Sequence, residues 1–500
     1  MPDAPTFQTE GSLRADQLDA LLPAIVAHAL PSFIGAQRWY GDKARGIERI
    51  EVAAHSVLPQ DGSFLILLGV RLFFDAGEPV EYFVPLSVAR TAADNFPPIA
   101  RIEAADEQWS VRDAVQTPAF RRWLLEELAR DRRDSTSGFR WSTTSAANEF
   151  LSAAMLAESR VSSAQQSNSS IVYGSSVILK VFRRLSPGLN PEVELGRFLT
   201  TRTSFRNTPR LLGEWSYLDP DGVTRSLAVA QSYIPSVGDG WSYTLDTLRS
   251  PTTVTESDAR RLGQLTAQMH LALESARGNP DLAPEPIGAQ DTAAWSGSIA
   301  RAVESTAHAV ANVAGRERGE TRELIDAFLN LAPQLAAQAS GFDRLIGRYK
   351  TRVHGDYHLG QTLRTTAGDF VILDFEGEPQ RPIEERRAKT SPLKDVAGML
   401  RSYGYARGAA ERQERTGETA SEDLRSTLVA WERSTRRAFI ESYVAESRRG
   451  GARYLPASDD DVRQSLAAWE LDKALYEVNY ELNNRPDWLA LPLAATLKLV

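Results

Sequence analysis

The sequence predicts an α+β chain of two lobes: a mostly β lobe carrying a small N-terminal α+β cap, followed by a large helical lobe. Three observations carry this reading. Runs rich in Val, Ile, Leu and Phe crowd the first 235 residues, and helical patterning takes over after Pro235. Inside the helical half, RVHGDYHLGQTLRTTAGDFVILDFEGEP (Arg352 to Pro379) breaks that pattern. It holds two of the six histidines, three aspartates and a short apolar run.

Residues 1–100 read as the cap. A helical region over about 14–30, with Pro23 as a break, precedes IERIEVAAHSVLP, SFLILLGVRLFFD and EPVEYFVPLSVAR. Turn signals at Asp61-Gly62 and between Asp75 and Pro79 separate these three strands. Residues 101–234 complete the β lobe, and from about 106 to 160 helical patterns are expected to dominate. SSIVYGSSVILKVFRRL then gives a hairpin around Tyr173-Gly174-Ser175-Ser176. NPEVELGRFLT follows as a helix, Asn190 at its N-cap and Pro191 at its first position. Two further strands are expected near 210–217 and 225–233, giving a lobe of four strands. YIPSVGDGWSY, rich in Pro and Gly, reads as a linker, so that residues 235–500 form the helical lobe. RGNPDLAPEPIGAQD is a second loop, between two long helical regions.

Composition narrows the function. Five hundred residues exceed one compact core and imply two or three packed units. A net charge of −8 argues against nucleic-acid binding, which calls for a basic surface. With no cysteine, there is no thiol nucleophile, disulfide or thiolate metal site. No signal-peptide pattern and no bilayer-length apolar run occurs, so a soluble cytoplasmic protein is expected.

Lys180 stands in SVILKVF, an otherwise apolar strand beside a tight turn. The default cation of this chain is arginine, 50 against seven lysines, so each lysine marks a place where a compact point charge is wanted. A solvent-facing edge lysine is the plain alternative. An acidic partner follows on the next helix, at Glu194 fourteen residues on, or at Glu192. A strand lysine held by a helix glutamate and aimed at nucleotide phosphates is the arrangement of protein-kinase-like folds.

In HGDYHLGQ, Asp356 precedes Gln361 by five residues. Kinase-like phosphotransferases use an aspartate in this position to accept the proton of the attacking hydroxyl, and a carboxamide five residues on to bind Mg²⁺. Asp374 closes the apolar run VILDFE thirteen residues later, where a carboxylate suits a hard cation. Each element is weak alone; their order predicts a bilobal protein-kinase-like fold and phosphoryl transfer, with ATP and Mg²⁺ as cofactors. His354 is expected to bond loop backbone near Asp374. His358 faces the metal–phosphate region or the acceptor, or is a packed loop histidine. No GxGxxG is present; Gln166, Ser167, Asn168, Ser169 and Ser170 precede the strand instead, as phosphate donors or as an ordinary polar turn. Gln231 to Tyr233 would offer backbone groups to adenine.

Near the C-terminus, Ser458 and Asp461 have capping-box spacing and open a long helix. Leu471, Leu475, Val478 and Leu482 form its apolar stripe. Asp472, Tyr476, Tyr480, Asn483 and Asn484, with Glu477 and Glu481, lie on neighbouring faces. Aromatics beside carboxylates and amides suit a sugar, against the plain alternative of a solvated helix.

The chain resembles the bacterial maltokinases, including those fused to trehalose synthase, over nearly all of its length. The resemblance is carried by GAQRWYGDKARGIERIEV, QSNSSIVYGSSVILKVFRRL, NPEVELGRFL, YIPSVGDGWSYTL, HGDYHLGQTLR and DKALYEVNYELNNRPDWLALPL. It also runs through VILDFEGEPQRPIEERRAKTSPLKDVAGMLRSYGYA, and its most specific part is the segment around Glu376 to Met399. It implies an aminoglycoside-phosphotransferase-like fold with an added cap, and transfer of the ATP γ-phosphate to the anomeric hydroxyl of maltose for α-glucan synthesis. It further implies Asp356 as the base, Gln361 and Asp374 as Mg²⁺ ligands, and Lys180 as the phosphate-binding lysine. The sugar would meet the last helix around Tyr476, Tyr480, Asn484, Arg485 and Trp488, and trehalose synthase is the implied partner. Relatives with similar motifs include a glucosamine kinase, so another sugar such as glucosamine is the alternative acceptor. A pseudokinase regulator is a third reading, against which the intact Lys180, Asp356, Gln361 and Asp374 argue.

Overall fold

A computed structural model describes residues 4–43, 45–91, 97–130, 138–162, 167–219, 221–249, 256–379, 381–414 and 422–499. The chain divides into two compact units, one of residues 1–201 with 209–234, the other of 202–208 with 235–500.

The first unit contains two sheets. In the cap, the helix Ala15–His28 continues through Pro23 rather than breaking there. It packs on a sheet whose long central hairpin joins β1 (Ile47–Gln60) to β2 (Ser63–Phe74). The three expected cap strands are present. Residues 107–113 are not helical as expected: Ala100–Ala104 and Glu107–Asp113 form an antiparallel hairpin, turned by Ala105 at φ 50°. The apolar residues of EQWSVRD alternate inward with period two, and the helix starts only at Pro118. The second sheet has six strands rather than four. Phe139–Thr143 and Ser159–Val161 edge the four expected ones, among them β3 (Asn168–Tyr173), β4 (Val177–Phe182) and β5 (Thr224–Ser232). Gly174 turns the β3–β4 hairpin at φ 55°. The following helix, α1 (Pro191–Arg202), starts where expected, and the Asn190 carboxamide accepts from the Glu192 amide at 2.8 Å.

Cap and β lobe share one core. Leu65, Leu67 and Phe83 of the cap cluster with Leu179, Trp215 and Ala228 of the six-stranded sheet. A strand of the β lobe, Arg184–Leu185, extends the cap sheet beside Glu81 and Tyr82. The buried guanidinium of Arg183 reaches Asp113 of the cap at 2.6 Å.

The second unit is helical around a three-stranded sheet. YIPSVGDGWSY is only in part a linker: Ser236–Asp239 is a strand of that sheet and Gly240 begins a helix capped by Asp239. Gly240 is required there, because a Cβ would fall 2.2 Å from the Thr362 hydroxyl oxygen. The other strands, β6 (Thr362–Thr365) and β7 (Phe370–Ile372), are the two arms of the stretch Arg352 to Pro379. Around them pack α2 (Glu256–Glu274), α3 (Ala289–Ala314), α4 (Leu393–Glu414) and α5 (Asp459–Asn484). Ser458 caps α5 as expected, accepting the Asp461 amide at 3.0 Å. Leu471, Leu475 and Val478 are its buried stripe. No helix among the described residues is long and apolar enough to cross a membrane.

Candidate active site

In the first unit, Lys180 lies on β4 with its ammonium 3.4 Å from Glu192 on α1. Glu192 is the first of the two expected glutamates, and Glu194 is buried on the same helical turn. Glu192 is 1% exposed, and the Gln231 carboxamide donates to the same Oε1 at 2.6 Å. Gln231 thus braces the lysine's partner with its side chain. Tyr233 gives its backbone N–H to the Ser176 carbonyl at 2.9 Å, which takes that donor away from any base. The Ser169 hydroxyl is fully buried and accepts from Arg183 at 2.8 Å, a structural role rather than one facing solvent. Ser167 and Asn168 remain at the mouth of the hairpin, and Gln166 lies outside the described residues.

In the second unit a buried carboxylate organises the loop of Asp356. Asp395, on α4, accepts the backbone amides of His354 at 2.8 Å and Gly355 at 2.9 Å, and the His270 ring at 3.0 Å. Burial raises its pKa, but His270 and these donors outweigh burial and hold the carboxyl below its ordinary value. Gly355, at φ 86°, lets the loop approach Gly377: a Cβ there would stand 3.2 Å from that Cα. Tyr357 is buried with its hydroxyl 2.9 Å from Thr266 of α2. His354 donates through Nε2 to the Leu373 carbonyl at 2.6 Å, and its Nδ1 accepts from the Asp356 amide at 3.4 Å. His354 therefore bonds backbone beside Asp374, as the sequence reading has it.

Gln361 and Asp374 come from facing strand ends. Leu373 donates its amide to the Gln361 carbonyl at 2.9 Å, so the two candidate metal ligands stand on neighbouring backbone. Asp374 takes φ 64°, a left-handed conformation uncommon for a residue with a side chain and concentrated at functional turns. A carboxamide oxygen and a carboxylate are hard donors that fit Mg²⁺, which completes its shell with water and phosphate oxygens. His358 caps the short turn before Gln361, its Nδ1 accepting from Gly360 at 3.0 Å, so its Nε2 carries the proton 4.0 Å from Asp356 Oδ2.

The residue missed in the sequence is Lys473 on α5. Its ammonium donates to Asp356 Oδ1 at 3.2 Å and to Glu378 Oε1 at 2.7 Å. Burial disfavours the charged lysine, yet Asp356 and Glu378 raise its pKa above the ordinary value. Burial likewise pushes Glu378 up, but Lys473, Lys394 and Arg381 hold it down to about 2. The scarcity of lysine that flags Lys180 applies equally to Lys473 and was the available signal.

Lys473 shares its helix with the residues expected to meet the sugar. Tyr476 lies under the Lys473 ammonium, which stands 4.9 Å from the ring centroid, and stacks with Tyr480 at 6.5 Å. Asn484 bonds the Tyr480 carbonyl, and Arg485 pairs with Glu481 and stacks on Trp488. At about 1.5 Å per residue Asn484 sits roughly 16 Å along the helix from Lys473, and Arg485 and Trp488 follow beyond the helix end. Glu477 and Glu481 are also committed, to Arg401 at 2.6 Å and to Arg485 and Tyr405. What does border Glu378 and Gly355 is a cavity of about 250 Å³ walled by Trp295, Phe342 and Trp469. Asp472 and Arg381 line it too, and the buried Trp469 indole N–H has no hydrogen-bond partner among the described residues. Asp472 is 4.0 Å from Lys394.

Residues 160–428 match the model of the phosphotransferase enzyme family. A glucosamine kinase of Streptacidiphilus jiangxiensis is 29% identical over 351 residues, 69% of this chain and 74% of that one. A second, of Mycolicibacterium smegmatis, is 27% identical over 341 residues, 66% and 76% of the two chains. Among solved structures, a glucosamine kinase in complex with glucosamine, ADP and inorganic phosphate superposes with a TM-score of 0.66 at 24% identity. That superposition covers 96% of this chain and 99% of the other. A crystal form of glucosamine kinase gives 0.67, also at 24% identity, over 95% and 99%. The fold is accordingly the bilobal kinase-like α+β fold, cap included. With a match spanning more than half of its residues, the chain belongs to the phosphotransferase enzyme family.

Proposed function

We propose that this protein is an ATP- and Mg²⁺-dependent sugar kinase, with glucosamine as the leading acceptor. The observation that carries the reading is the Asp356 carboxylate, held by an ammonium that also bonds Glu378, a residue lining an aromatic-walled cavity. Phosphoryl transfer asks mainly for positioned charge. Asp356 takes the acceptor's hydroxyl proton as that oxygen attacks the γ-phosphorus, and Lys180 neutralises nucleotide phosphate. Gln361 and Asp374 would hold Mg²⁺, which spreads the charge of the transferred group. The cavity falls below the roughly 300–1,000 Å³ of sites for drug-sized ligands, a size that suits one hexose ring. The acceptor class rests on the curated relatives, both glucosamine kinases, and on Asp472, a carboxylate that an amino sugar's ammonium would meet.

Maltose is the second reading. The stacked pair Tyr476–Tyr480 continues outward from Lys473 and offers a surface to a second ring. That reading brings maltose 1-phosphate as product and trehalose synthase as partner.

Mg-ATP assays on individual sugars, with the phosphorylated carbon assigned by NMR, decide between them. Glucosamine turnover that weakens at least tenfold in kcat/KM on Asp472→Asn, with the KM for ATP unchanged, is the expected result. Turnover of maltose alone, with an anomeric phosphate, overturns the first acceptor and keeps the kinase. Nucleotide binding without turnover of any sugar overturns both.

A further inference from the structure

We propose that Lys473 is a positioning residue for the catalytic aspartate: it occupies one oxygen of Asp356 and thereby reserves the other for the acceptor's proton. The inference rests on the reading of Asp356 as the base. Lys473 reaches Oδ1 at 3.2 Å, while among the described residues Oδ2 has only the His358 ring, at 4.0 Å. A carboxylate with one oxygen fixed in this way presents the other in a single orientation, which is what a proton acceptor in a short-lived encounter requires.

Glu378 completes the device. It is 3% exposed, gives Oε1 to Lys473 at 2.7 Å and receives Arg381 on its other oxygen. During transfer the acceptor's O–H bond breaks and its proton moves to Asp356 Oδ2. The acceptor oxygen bonds to the γ-phosphorus, and the bond to the bridging oxygen breaks with its electron pair leaving on ADP. Asp356 becomes neutral at that moment, and Lys473 keeps its proton because Glu378 still balances it. A lysine paired with Asp356 alone would instead be left as an uncompensated buried charge. The titratable and charged groups around this pair include His358 on the loop, Glu378 and Arg381 on the turn after Asp374, Lys394 on α4 and Glu477 on α5 itself.

A salt bridge that merely ties α5 to the loop predicts different kinetics, and a double-mutant cycle on the full chain tells the two apart. Single-turnover rates with Mg-ATP and the best sugar are compared for wild type, K473M, D356N and D356N/K473M, with ADP affinity by calorimetry. D356N is expected to lose about 10²- to 10⁴-fold. K473M is expected to lose about 10- to 100-fold in rate, with ADP affinity within about twofold. K473R recovers part of that loss, and K473M costs nothing further once Asp356 is Asn. Equal fold losses in both backgrounds, or a near-wild-type rate for K473M, overturn the inference while a dead D356N leaves the base intact. A near-wild-type D356N overturns both. If K473M does not fold, K473Q is carried through the same cycle with the same expected and overturning outcomes.

Discussion

Asp395 accepts the backbone N–H of Gly355 at 2.9 Å from a fully buried position, forty residues further along the chain. The same carboxylate takes the His354 amide and the His270 ring, so one side chain fixes the backbone immediately before Asp356. Asp395→Ala strands two amides and a histidine in a dry interior, at about 1–3 kcal/mol for each unsatisfied group. A loss of roughly 3 kcal/mol or more in denaturant unfolding is expected, together with collapse of turnover. An unfolding midpoint within error of wild type would remove Asp395 as the anchor.

Lys180 and Glu192 make a second test. Lys180→Ala is expected to raise the KM for ATP about tenfold and to slow turnover. Glu192→Gln is expected to reproduce part of the KM change, because the ammonium loses a charged partner. Steady-state kinetics at varied ATP checks both. An unchanged KM in Lys180→Ala would make it a solvent-facing lysine.

The charges around Glu378 set a pH dependence. Its carboxyl sits at about 2 in the folded chain, below the ordinary 4.5. The stability it contributes is complete above the ordinary value and disappears as pH falls from about 4.5 towards 2. Tm measured against pH should therefore show wild type and Glu378→Gln farthest apart near neutrality and converging below about pH 4.5. A gap that stays constant from pH 3 to 8 would contradict the pairing.

The cap is expected to be needed for folding. Its Leu65, Leu67 and Phe83 belong to the same core as Trp215, and Asp113 neutralises the buried Arg183. Removing one partner of a buried ion pair costs about 3–5 kcal/mol. Asp113→Ala should lower stability by that order in denaturant titration, and a chain lacking residues 1–100 should not give soluble folded protein. A soluble truncated chain with a cooperative melt would overturn this.

The order of elements was legible because it rests on local signals. Alternation in SVILKVF, the Asn190-Pro191 start of the next helix, and the five-residue step from Asp356 to Gln361 are all written within a few residues. Local signals also misled. EQWSVRD resembles a helical stretch until the Ala100–Ala104 strand supplies it with a partner. YIPSVGDGWSY resembles a linker until Gly240 packs on the Thr362 hydroxyl.

By itself the sequence determined the bilobal α+β plan and the order of its elements, since alternation, capping and turn signals are local. Only the tertiary structure decided that Glu192 holds Lys180, that Glu477 and Glu481 are spent on arginines, and that Lys473 stands on Asp356 from 117 residues away. Each of these depends on the rotation of a helix about its axis against a distant neighbour. A turn of about 100° per residue leaves that choice to packing rather than to the residues themselves.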